Sequence, residues 1–580
     1  MYRTRNNGTL RSSDIGKTVE LVGWVSKKRN LGSLLFIDLR DRSGVIQVTI
    51  KTDEITIPEI RNEFVLKVKG VVSKKDVSNP NLKTGEVEVL ATSIEVINKA
   101  KNPPIIIADT TDALEDTRLK YRYLDLRRST MQEKLIVRAK IARAARSFLD
   151  ENDFLEIETP ILTKSTPGGA RDYLVPSRLH PGSFYALPQS PQIYKQLLMI
   201  GGLERYYQIA RCFRDEDLRA DRQPDFTQID IETSFLTEDE FLAMMEKLIH
   251  KIFKDVVNYD LKLPLNRLTY QQAMETYGSD KPDLRFGLEI QNLDFLHGHV
   301  DLFASTPIIR ALVIPQAADK TSRKQLDELN VEAKKYGLNS LANLKFGHDG
   351  LSGSLVNKLS EEIKEQIIKS LNLRENDLVI IAFNEVKDRV LPLLGSLRNS
   401  FARRFNLIDP TKFEVLWVEK FPLFSYDKEN KHYVSEHHPF TMPLAEHLEL
   451  LDQDPSKVLS QAYDIVINGY EAGGGSMRIY DQDLQHKIFA LLGMTEEEIK
   501  AKFGFFIEAL EYGTPPHGGI AFGLDRLTMI LSGTDNIRDV IAFPKNLSGV
   551  SLMSDEPSTV SQQQLDELHI QLVKGEESHE

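Results

Sequence analysis

Apolar and polar residues alternate in five short runs within the first hundred residues of the chain. The runs are Thr18–Lys28, Ser33–Arg40, Val45–Ile50, Glu63–Ser73 and Glu86–Ile97, and turn-forming residues separate them. Alternation with a period of two is typical of strands that bury one face. A single short helix is expected over Glu59–Glu63. The pattern therefore predicts a small β-barrel with one helical interruption.

In barrels of the oligonucleotide-binding (OB) type, the second and third strands form the ligand face. Here those strands carry Phe36, Asp38, Arg40 and Gln47, and Lys27–Arg29 precede them. An aromatic ring among cations and amide donors suits an unstacked nucleic-acid base. The alternative is that Phe36 belongs to the barrel core and that the basic residues are ordinary surface.

Helical periodicity takes over beyond the barrel. After a proline-containing hinge at Lys101–Ala108, an amphipathic helix is predicted over Met131–Asn152, followed by a strand over Phe154–Pro160. Between 280 and 411, helical patterns alternate with apolar strands, which predicts an inserted α/β domain. Its predicted helices are Ser322–Tyr336 and Ser360–Leu371, and its predicted strands are Ile308–Ile314 and Leu378–Phe383. The expected divisions are 1–101 (barrel), 102–130 (hinge), 131–279 and 412–557 (core), 280–411 (insertion) and 558–580 (tail).

The segment Tyr207–Phe235 places Arg214 and Glu216 between two strand-like runs joined by a charged link at Asp217–Asp221. A guanidinium can grip phosphate and carboxylate oxygens together, and a carboxylate two residues further on shares its strand face. The segment therefore predicts a hairpin with a nucleotide-phosphate clamp. Taken alone, a salt-bridged surface hairpin is the alternative.

Composition and charge narrow the functional class. The chain has 580 residues, of which 41% are hydrophobic and 27% charged, and it contains no apolar run of transmembrane length. A cytoplasmic protein is expected, since the N-terminus does not resemble a signal peptide. The net charge is −12, but residues 1–101 hold 18 basic and 12 acidic side chains, a balance of +6, so the remainder carries −18. A basic module on an acidic body is compatible with binding a polyanion at one end.

Cys212 is the single cysteine of the chain, which excludes an internal disulfide framework and a cysteine-based zinc site. Its place beside Phe213 in an apolar run predicts a buried strand thiol without a catalytic role.

Four further clusters carry candidate chemistry. They are Gln192 and Lys195 at a helix start, His437 and His438 before a proline, the run Asp464–Arg478 with Glu471 and a triple glycine, and the glycine-rich strand Gly518–Gly523 running into a helix with Arg526. Each alone is a weak signal, because adjacent histidines and glycine-rich turns are common.

Taken together, in this order and at this spacing, the clusters are very specific. The sequence resembles the class II aminoacyl-tRNA synthetases over essentially its whole length, and within that class it is most similar to the bacterial-type aspartyl enzymes. The strand ending at Pro160, FRDE at 213–216 and GLDR at 523–526 resemble the three motifs of that class. The resemblance implies an α+β multidomain fold: an N-terminal OB-fold barrel, a core with an antiparallel sheet flanked by helices, and an inserted α/β domain. It also implies a homodimer, with ATP and Mg²⁺ in the reaction.

The implied activity is ligation of L-aspartate to tRNA(Asp), through aspartyl-adenylate and then transfer to the terminal 3′-hydroxyl, without a membrane partner. Carried over by motif, Arg214 and Arg526 are the catalytic residues. The implied ATP site comprises Arg214, Asp215, Glu216, Gln223, Glu471, Gly523, Leu524, Asp525 and Arg526. The implied aspartate site comprises Gln192, Lys195, Arg214, Asp230, His437, His438 and Arg478. Asp464 and Glu471 would hold Mg²⁺.

The barrel would bind the anticodon through Arg29, Phe36, Gln47 and Glu88. Leu31 favours an enzyme confined to tRNA(Asp), because relatives that also charge asparagine tRNA commonly carry histidine in this loop. One position departs from the family: Gly168 stands where a glutamate on a mobile lid usually meets the substrate ammonium group. We expect weaker aspartate binding, by one charge-assisted hydrogen bond of about 1.5–3 kcal/mol.

Two other functions stay open on sequence grounds. An asparaginyl- or lysyl-type synthetase shares the barrel and core, but a lysine pocket needs acids where Lys195 and Arg478 stand, and two cations argue against asparagine. A nucleic-acid-binding paralogue without activity usually lacks the phosphate arginines, whereas Arg214 and Arg526 are present.

Overall fold

The computed structural model describes residues 2–165, 170–304, 306–429 and 431–573. The chain forms two compact units. The first unit comprises Met1–Ala139, Asp217–Pro224 and Ser532–Glu567, and the second comprises Lys140–Glu216, Asp225–Leu531 and Leu568–Glu580. The predicted domain boundaries stay predictions, since the two units divide the chain differently.

The first unit contains a closed five-stranded barrel with the strand order β1-β2-β3-β5-β4. Its strands are β1 (Thr18–Leu31), β2 (Leu34–Asp41), β3 (Gly44–Lys51), β4 (Val65–Lys74) and β5 (Val87–Asn98). Leu35, Ile37 and Leu39 of β2 point into the core, whereas the intervening Phe36 does not belong to it. The predicted barrel is therefore confirmed, and the alternative that Phe36 is a core residue is wrong.

The helix predicted over Glu59–Glu63 does not form, and this prediction is wrong. Residues 56–61 have no regular secondary structure, a turn follows at Asn62 and Glu63, and Glu63 has a left-handed φ of 64°. A left-handed residue cannot continue an α-helix. The turn instead places the Glu63 carboxylate where Arg40 Nη2 donates to it at 2.7 Å and Arg127 Nη1 at 2.9 Å.

Helices connect the barrel to the rest of the chain. They are α1 (Glu115–Lys120), α2 (Arg122–Asp125) and α3 (Ser129–Glu151), and α3 matches the amphipathic helix that the sequence predicts. Within the first unit, the buried Asp125 pairs with Arg118, Arg122 and Arg128, and Arg122 Nη2 also donates to the carbonyl oxygen of Arg538 at 2.6 Å.

The second unit is built on an eight-stranded sheet with the order β11-β17-β20-β21-β22-β10-β9-β6. Only the β11–β17 and β6–β9 pairs are parallel among these described strands. The strands are β6 (Leu155–Glu156), β9 (Arg205–Phe213), β10 (Asp225–Ser234), β11 (Asn266–Thr269), β17 (Val415–Glu419), β20 (Ala462–Ile467), β21 (Tyr470–Met477) and β22 (His517–Gly523). Two hairpins lie outside this sheet: β7 (Leu174–Pro176) with β8 (Phe184–Ala186), and β18 (Phe424–Asp427) with β19 (His432–Ser435).

The described α-helices that follow α3 and lie outside the insertion belong to the second unit, except α14, which belongs to the first. They are α4 (Gln192–Ile200), α5 (Glu238–Val257), α6 (Tyr270–Tyr277), α10 (Leu450–Gln453), α11 (Gln482–Leu491), α12 (Glu496–Leu510), α13 (Leu524–Leu531) and α14 (Gln562–Glu567). The strand predicted over Phe154–Pro160 shrinks to the two residues of β6. Beyond β6, the Thr159 N–H and hydroxyl donate to the Gln208 side chain at 3.2 and 2.9 Å. The Thr159 N–H therefore bonds to a side chain of β9 and not to its backbone.

The insertion forms its own sheet with helices on both faces. The strand order is β12-β13-β16-β14-β15, and every pair is antiparallel. Its elements are β12 (Gln291–Asn292), β13 (Ile308–Ile314), α7 (Arg323–Lys335), β14 (Ala342–Gly347), β15 (Gly350–Gly353), α8 (Glu361–Ser370), β16 (Asp377–Asn384) and α9 (Lys387–Arg404). Helices α7 and α9 pack on one face and α8 on the other. In the described part of the chain, no helix has the length and apolar character needed to cross a bilayer.

Candidate active site

The hairpin that the sequence predicts is the β9–β10 pair, which lies next to the β6 edge of the large sheet. Phe213 pairs with Asp225 at the end where the connecting loop begins, and Arg214 is the first residue of that loop. The Arg214 guanidinium lies 5.1 Å from the centre of the Phe226 ring. Its buried Nε has no hydrogen-bond partner among the described residues. A buried donor of this kind is available to an anionic ligand oxygen.

A cavity of about 590 Å³ opens beside this hairpin. We call it the active-site cavity. Its walls come from α4, from the β18–β19 hairpin, from the His437–Phe440 turn and from α12, and they include five of the predicted site residues. These are Gln192, Arg214, Glu216, His437 and His438.

Behind this wall lies a buried cluster of four charged side chains. Lys195 Nζ is 2.8 Å from Asp230 Oδ1 and 3.1 Å from Glu232 Oε2. Arg478 Nε is 2.9 Å from Glu232 Oε1, and its Nη2 is 3.1 Å from Oε2. Each of the four side chains is no more than 2% exposed. The sequence predicts three members of this cluster and misses Glu232, although it lies two residues from Asp230 on the same strand face.

Protonation in the cluster follows from burial and from these pairings. Burial opposes the charged form of Glu232, but Arg478 and Lys195 prevail and hold its pKa to about 2. Burial raises the pKa of Asp230 in spite of Lys195, and the second oxygen of Asp230 has no partner among the described residues. When all four groups are ionised, their charges cancel. An entering carboxylate therefore meets two cations that internal acids already balance.

His438 lies between the cavity and Arg478. Arg478 Nη1 is 2.7 Å from His438 Nε2, and a guanidinium only donates, so Nε2 accepts. Burial lowers the pKa of His438 well below its ordinary value, and Arg478 adds to the shift. The other ring nitrogen, Nδ1, lies 3.2 Å from the backbone nitrogen of Phe440, whose N–H points to it, and 3.3 Å from Thr441 Oγ1.

Two glycines make room for carboxylates. A Cβ on Gly519 of β22 would stand 1.9 Å from Glu232 Oε2 on the neighbouring strand. A Cβ on Gly474 of β21 would stand 2.5 Å from Asp464 Oδ1 and 3.7 Å from Glu471 Oε1. A side chain at either position would displace the carboxylate beside it.

Asp464 and Glu471 occupy adjacent strands β20 and β21. Burial, and then the negative charge of Glu471, raise the pKa of Asp464 well above its ordinary value. His437 Nε2 is 4.0 Å from Asp464 Oδ1, which connects this acid to the cavity wall. Arg526 Nη1 donates to the Glu471 carbonyl oxygen and lies 4.0 Å from Glu471 Oε2. Within the described ranges, no group of three or more metal-type ligands is present.

Several predicted ATP-site residues have structural contacts. The buried Asp525 carboxylate accepts from the Thr227 N–H at 2.8 Å and so joins α13 to β10. Leu524 is 3% exposed beside Gly523, the last residue of β22. Asp215 forms an isolated β-bridge with Arg171. Their predicted contacts with ATP stay predictions.

Gln223 belongs to the first unit. Its amide accepts from the Lys545 N–H at 2.8 Å and donates to the Lys545 carbonyl oxygen at 3.0 Å. Both polar ends of this side chain are therefore used to bind the segment around Lys545. Its predicted nucleotide contact also stays a prediction.

Cys212 is completely buried, and its Sγ donates to Gln228 Oε1 at 3.3 Å. Burial raises the pKa of this thiol to about 12. The prediction of a buried strand thiol is confirmed.

The barrel face of the first unit brings the four predicted anticodon residues together. Arg29 Nη2 lies 3.2 Å from both Asp38 Oδ1 and Gln47 Oε1, and its guanidinium is 5.9 Å from the Phe36 ring. Gln47 Nε2 in turn donates to Glu88 Oε2 at 2.8 Å. Leu31, at the β1–β2 turn, is 71% exposed. The predicted lid position Gly168 lies outside the described residues.

Comparison with known proteins identifies the family. Residues 114–547 match the model of class II tRNA synthetases (D, K and N), and residues 19–97 match the OB-fold nucleic acid binding domain. The chain is 52% identical to a Bacillus cytotoxicus protein named aspartate–tRNA(Asp/Asn) ligase, across 98% of this chain and 99% of that protein. It is 50% identical to the protein of the same name from Anoxybacillus flavithermus, across 98% of each.

Solved structures agree on the fold. Entamoeba histolytica aspartyl-tRNA synthetase superposes with a TM-score of 0.57 at 21% identity, covering 92% of this chain and 90% of that one. The asparaginyl-tRNA synthetase of the same organism, in complex with asparaginyl-adenylate, gives 0.58 at 19% identity, covering 93% and 98%.

Proposed function

The chain belongs to the class II tRNA synthetases of the aspartate, lysine and asparagine group, and from this premise we propose that it ligates L-aspartate to tRNA(Asp) with ATP. The observation that carries the choice of amino acid is the buried pair of cations, Lys195 and Arg478, behind the wall of the active-site cavity. Two cations favour a carboxylate side chain, offer less to a neutral amide and repel an ammonium group. The names of the half-identical relatives support the same amino acid.

The first step is formation of aspartyl-adenylate. The α-carboxylate of the substrate is already ionised, so the attack on the α-phosphate needs no general base. The buried Nε of Arg214 has no hydrogen-bond partner among the described residues. Arg214 would bind the α-phosphate and the α-carboxylate together, so that the attacking oxygen is aligned with the phosphorus. Arg526 would hold the γ-phosphate. Catalysis then consists of positioning the reactants and neutralising the charge that develops as pyrophosphate leaves.

Mg²⁺ fits the acids of this site. Asp464 and Glu471 offer carboxylate oxygens on adjacent strands, and burial and Glu471 disfavour the charged form of Asp464, which a bound cation would stabilise. Two carboxylates suit an ion that completes its coordination with phosphates and water. When bound, the ion would neutralise phosphate charge.

The second step is attack of the 3′-hydroxyl of the terminal tRNA adenosine on the aspartyl carbonyl carbon of the adenylate, which forms the ester and releases AMP. The anticodon would stack on Phe36 and meet Arg29, Gln47 and Glu88 on the barrel face. The OB-fold match over residues 19–97 supports this role for the barrel. We place the protein in the cytoplasm as a homodimer, as the family resemblance implies.

The test of the amino acid is ATP–pyrophosphate exchange with aspartate, asparagine and lysine supplied separately. We expect exchange with aspartate at a kcat/KM at least a hundredfold above that with the other two. If asparagine outperforms aspartate, the assignment is wrong. If saturating aspartate gives no exchange at all, the alternative of an inactive nucleic-acid-binding paralogue is correct.

The choice of tRNA is a separate question. Leu31 supports restriction to tRNA(Asp), whereas the names of the half-identical relatives, which cover both tRNA(Asp) and tRNA(Asn), favour charging of both. Aminoacylation of the two purified tRNAs side by side decides between them. Comparable kcat/KM values for both tRNAs would overturn the restriction to tRNA(Asp).

A further inference from the structure

A chain of hydrogen bonds runs from the start of β22 to the wall of the active-site cavity. His517, which is 1% exposed, has its Nδ1 2.8 Å from the Pro515 carbonyl oxygen and its Nε2 3.2 Å from Gln196 Nε2. Gln196 is completely buried, and its Oε1 accepts from Gln192 Nε2 at 2.9 Å. Gln192 lines the cavity.

The Pro515 carbonyl oxygen fixes which atom donates in each of these hydrogen bonds. The Pro515 carbonyl oxygen can only accept, so His517 Nδ1 carries a proton. Burial lowers the pKa of His517, and although Glu232 opposes the shift, Arg478 and Lys195 add to it, so the ring is neutral. Nε2 must then accept, which makes Gln196 the donor to it and leaves Gln196 Oε1 to accept from Gln192.

We infer that His517 and Gln196 are positioning residues that orient the Gln192 amide so that its carbonyl oxygen faces the cavity and accepts from the α-ammonium group of the substrate amino acid. This inference rests on the proposed function. With Nε2 turned to Gln196, Oε1 is the end of the planar amide that remains for a ligand. The opposite orientation would present an NH₂ group to the ammonium, placing a donor against a donor.

The shape of the site alone does not select the orientation of the Gln196 amide, because its NH₂ group and its oxygen are nearly the same size. The acceptor on His517 selects it. Without that acceptor, Gln196 can rotate its amide by half a turn, and Gln192 can then reverse with it. The buried cluster of Lys195, Asp230, Glu232 and Arg478 is not part of this chain of bonds. The effect should therefore fall on recognition of the ammonium group and leave recognition of the substrate carboxylates intact.

The experiment is ATP–pyrophosphate exchange with the full chain carrying H517L, H517Q, Q192A or the double change Q192A/H517L. Leucine removes the acceptor, whereas glutamine can supply one from Oε1. We expect H517L to raise KM for aspartate about tenfold, the order of one hydrogen bond to a charged group, with kcat changed less than about twofold. H517Q should return KM to within about threefold of the unmodified protein.

The double change separates positioning from packing. If His517 acts through Gln192, H517L adds nothing to the KM of Q192A. If H517L raises KM by the same factor with and without Gln192, the inference is wrong. Q196L breaks the chain of bonds from the other side and should reproduce the KM of H517L, which keeps the inference testable if H517L does not fold.

Succinate, which lacks the ammonium group, gives a second readout. As a competitor of aspartate, it should inhibit H517L and the unmodified protein with equal constants. Equal weakening of aspartate and succinate would refute an effect on the ammonium group. Absence of aspartate-dependent exchange in the unmodified protein would instead refute the proposed function, so the two failures are distinguishable.

Discussion

Glu232 holds Arg478 through two parallel contacts, Nε to Oε1 at 2.9 Å and Nη2 to Oε2 at 3.1 Å, in a place where neither side chain is more than 1% exposed. The second oxygen of the same carboxylate is also 3.1 Å from Lys195 Nζ. Glu232 therefore contacts both cations, and Asp230, 2.8 Å from Lys195 Nζ, supplies the second negative charge. A substrate carboxylate would share these cations with Glu232 and would not fill an uncompensated positive pocket.

Replacing Glu232 with glutamine should destabilise the free protein more than the aspartate-bound protein. Removing one partner of a buried ion pair costs about 3–5 kcal/mol, because the remaining charge stays buried. Bound aspartate would replace part of the missing negative charge. We expect E232Q to lower the melting temperature and aspartate to raise it by more than in the unmodified protein.

The matched control for E232Q is E156Q. Glu156 also accepts two contacts from one arginine, Arg146, but the two side chains are 37% and 46% exposed. Exposed pairs contribute about 0–1 kcal/mol. An equal loss of stability in both variants would contradict the role given to burial.

Conservative changes at two arginines should separate the amino acid from the nucleotide. A lysine at position 478 keeps the charge but cannot form the paired contacts to Glu232 together with those to His438 and Ser476. We expect R478K to raise KM for aspartate roughly thirtyfold or more and to leave KM for ATP nearly unchanged. R526K should show the reverse, and exchange kinetics with each substrate varied in turn measure both. Changes of equal size in the two KM values would argue against separate subsites.

Much of the barrel could be predicted from the sequence, since each strand there has one face in the core and one outside. Strand β2 shows this alternation in full, with Leu35, Ile37 and Leu39 buried and the residues between them outside the core. The hairpin of β9 and β10 was equally predictable, because two apolar runs flank a polar link. In the insertion, β13 has the predicted bounds Ile308–Ile314.

Other features depend on contacts between residues distant in sequence. Helix α9 carries Pro392 inside it, a residue that argues against a helix when only local signals are considered. His517 acquires its place in the site only when β22 pairs with β10 and brings it beside α4. Glu232 was within reach of sequence reasoning, but the two buried cations that explain it come from α4 and from the residue after β21.

Replacing Phe36 with alanine should weaken tRNA charging without affecting adenylate formation. Stacking of a base on an aromatic ring contributes about 1–3 kcal/mol, so KM for tRNA should rise about 5- to 150-fold. ATP–pyrophosphate exchange needs no tRNA and should be unchanged. The control is Y2A, because Tyr2 is an exposed aromatic residue of the same unit that lies outside the barrel strands. A loss of exchange in F36A, or an equal rise of KM in Y2A, would contradict an anticodon role for this face.

A pH-dependent change in stability should arise at the start of α5. Glu238 is 23% exposed, lies 4.0 Å from Arg267 Nη2, and competes for that guanidinium with Glu419, whose Oε2 is 2.6 Å from it. Burial, and then repulsion by Glu419, raise the pKa of Glu238 from 4.5 to about 7. The folded protein therefore holds a proton on this group at pH values where the unfolded chain has released it.

Between pH 4.5 and about 7 the folded state binds more protons at Glu238 than the unfolded state does, so this contribution to stability is lost as the pH rises through that window. Each pKa unit corresponds to about 1.4 kcal/mol, and partial solvent access reduces the total to about 1–3 kcal/mol. Glutamine in E238Q resembles the protonated acid and does not titrate. We expect urea unfolding midpoints of the two proteins to be similar at pH 5 and the unmodified protein to be the less stable at pH 8. The other titrating groups are common to both proteins, so their contributions cancel in the difference between the two midpoints. If that difference stays constant from pH 5 to pH 8, Glu238 has an ordinary pKa.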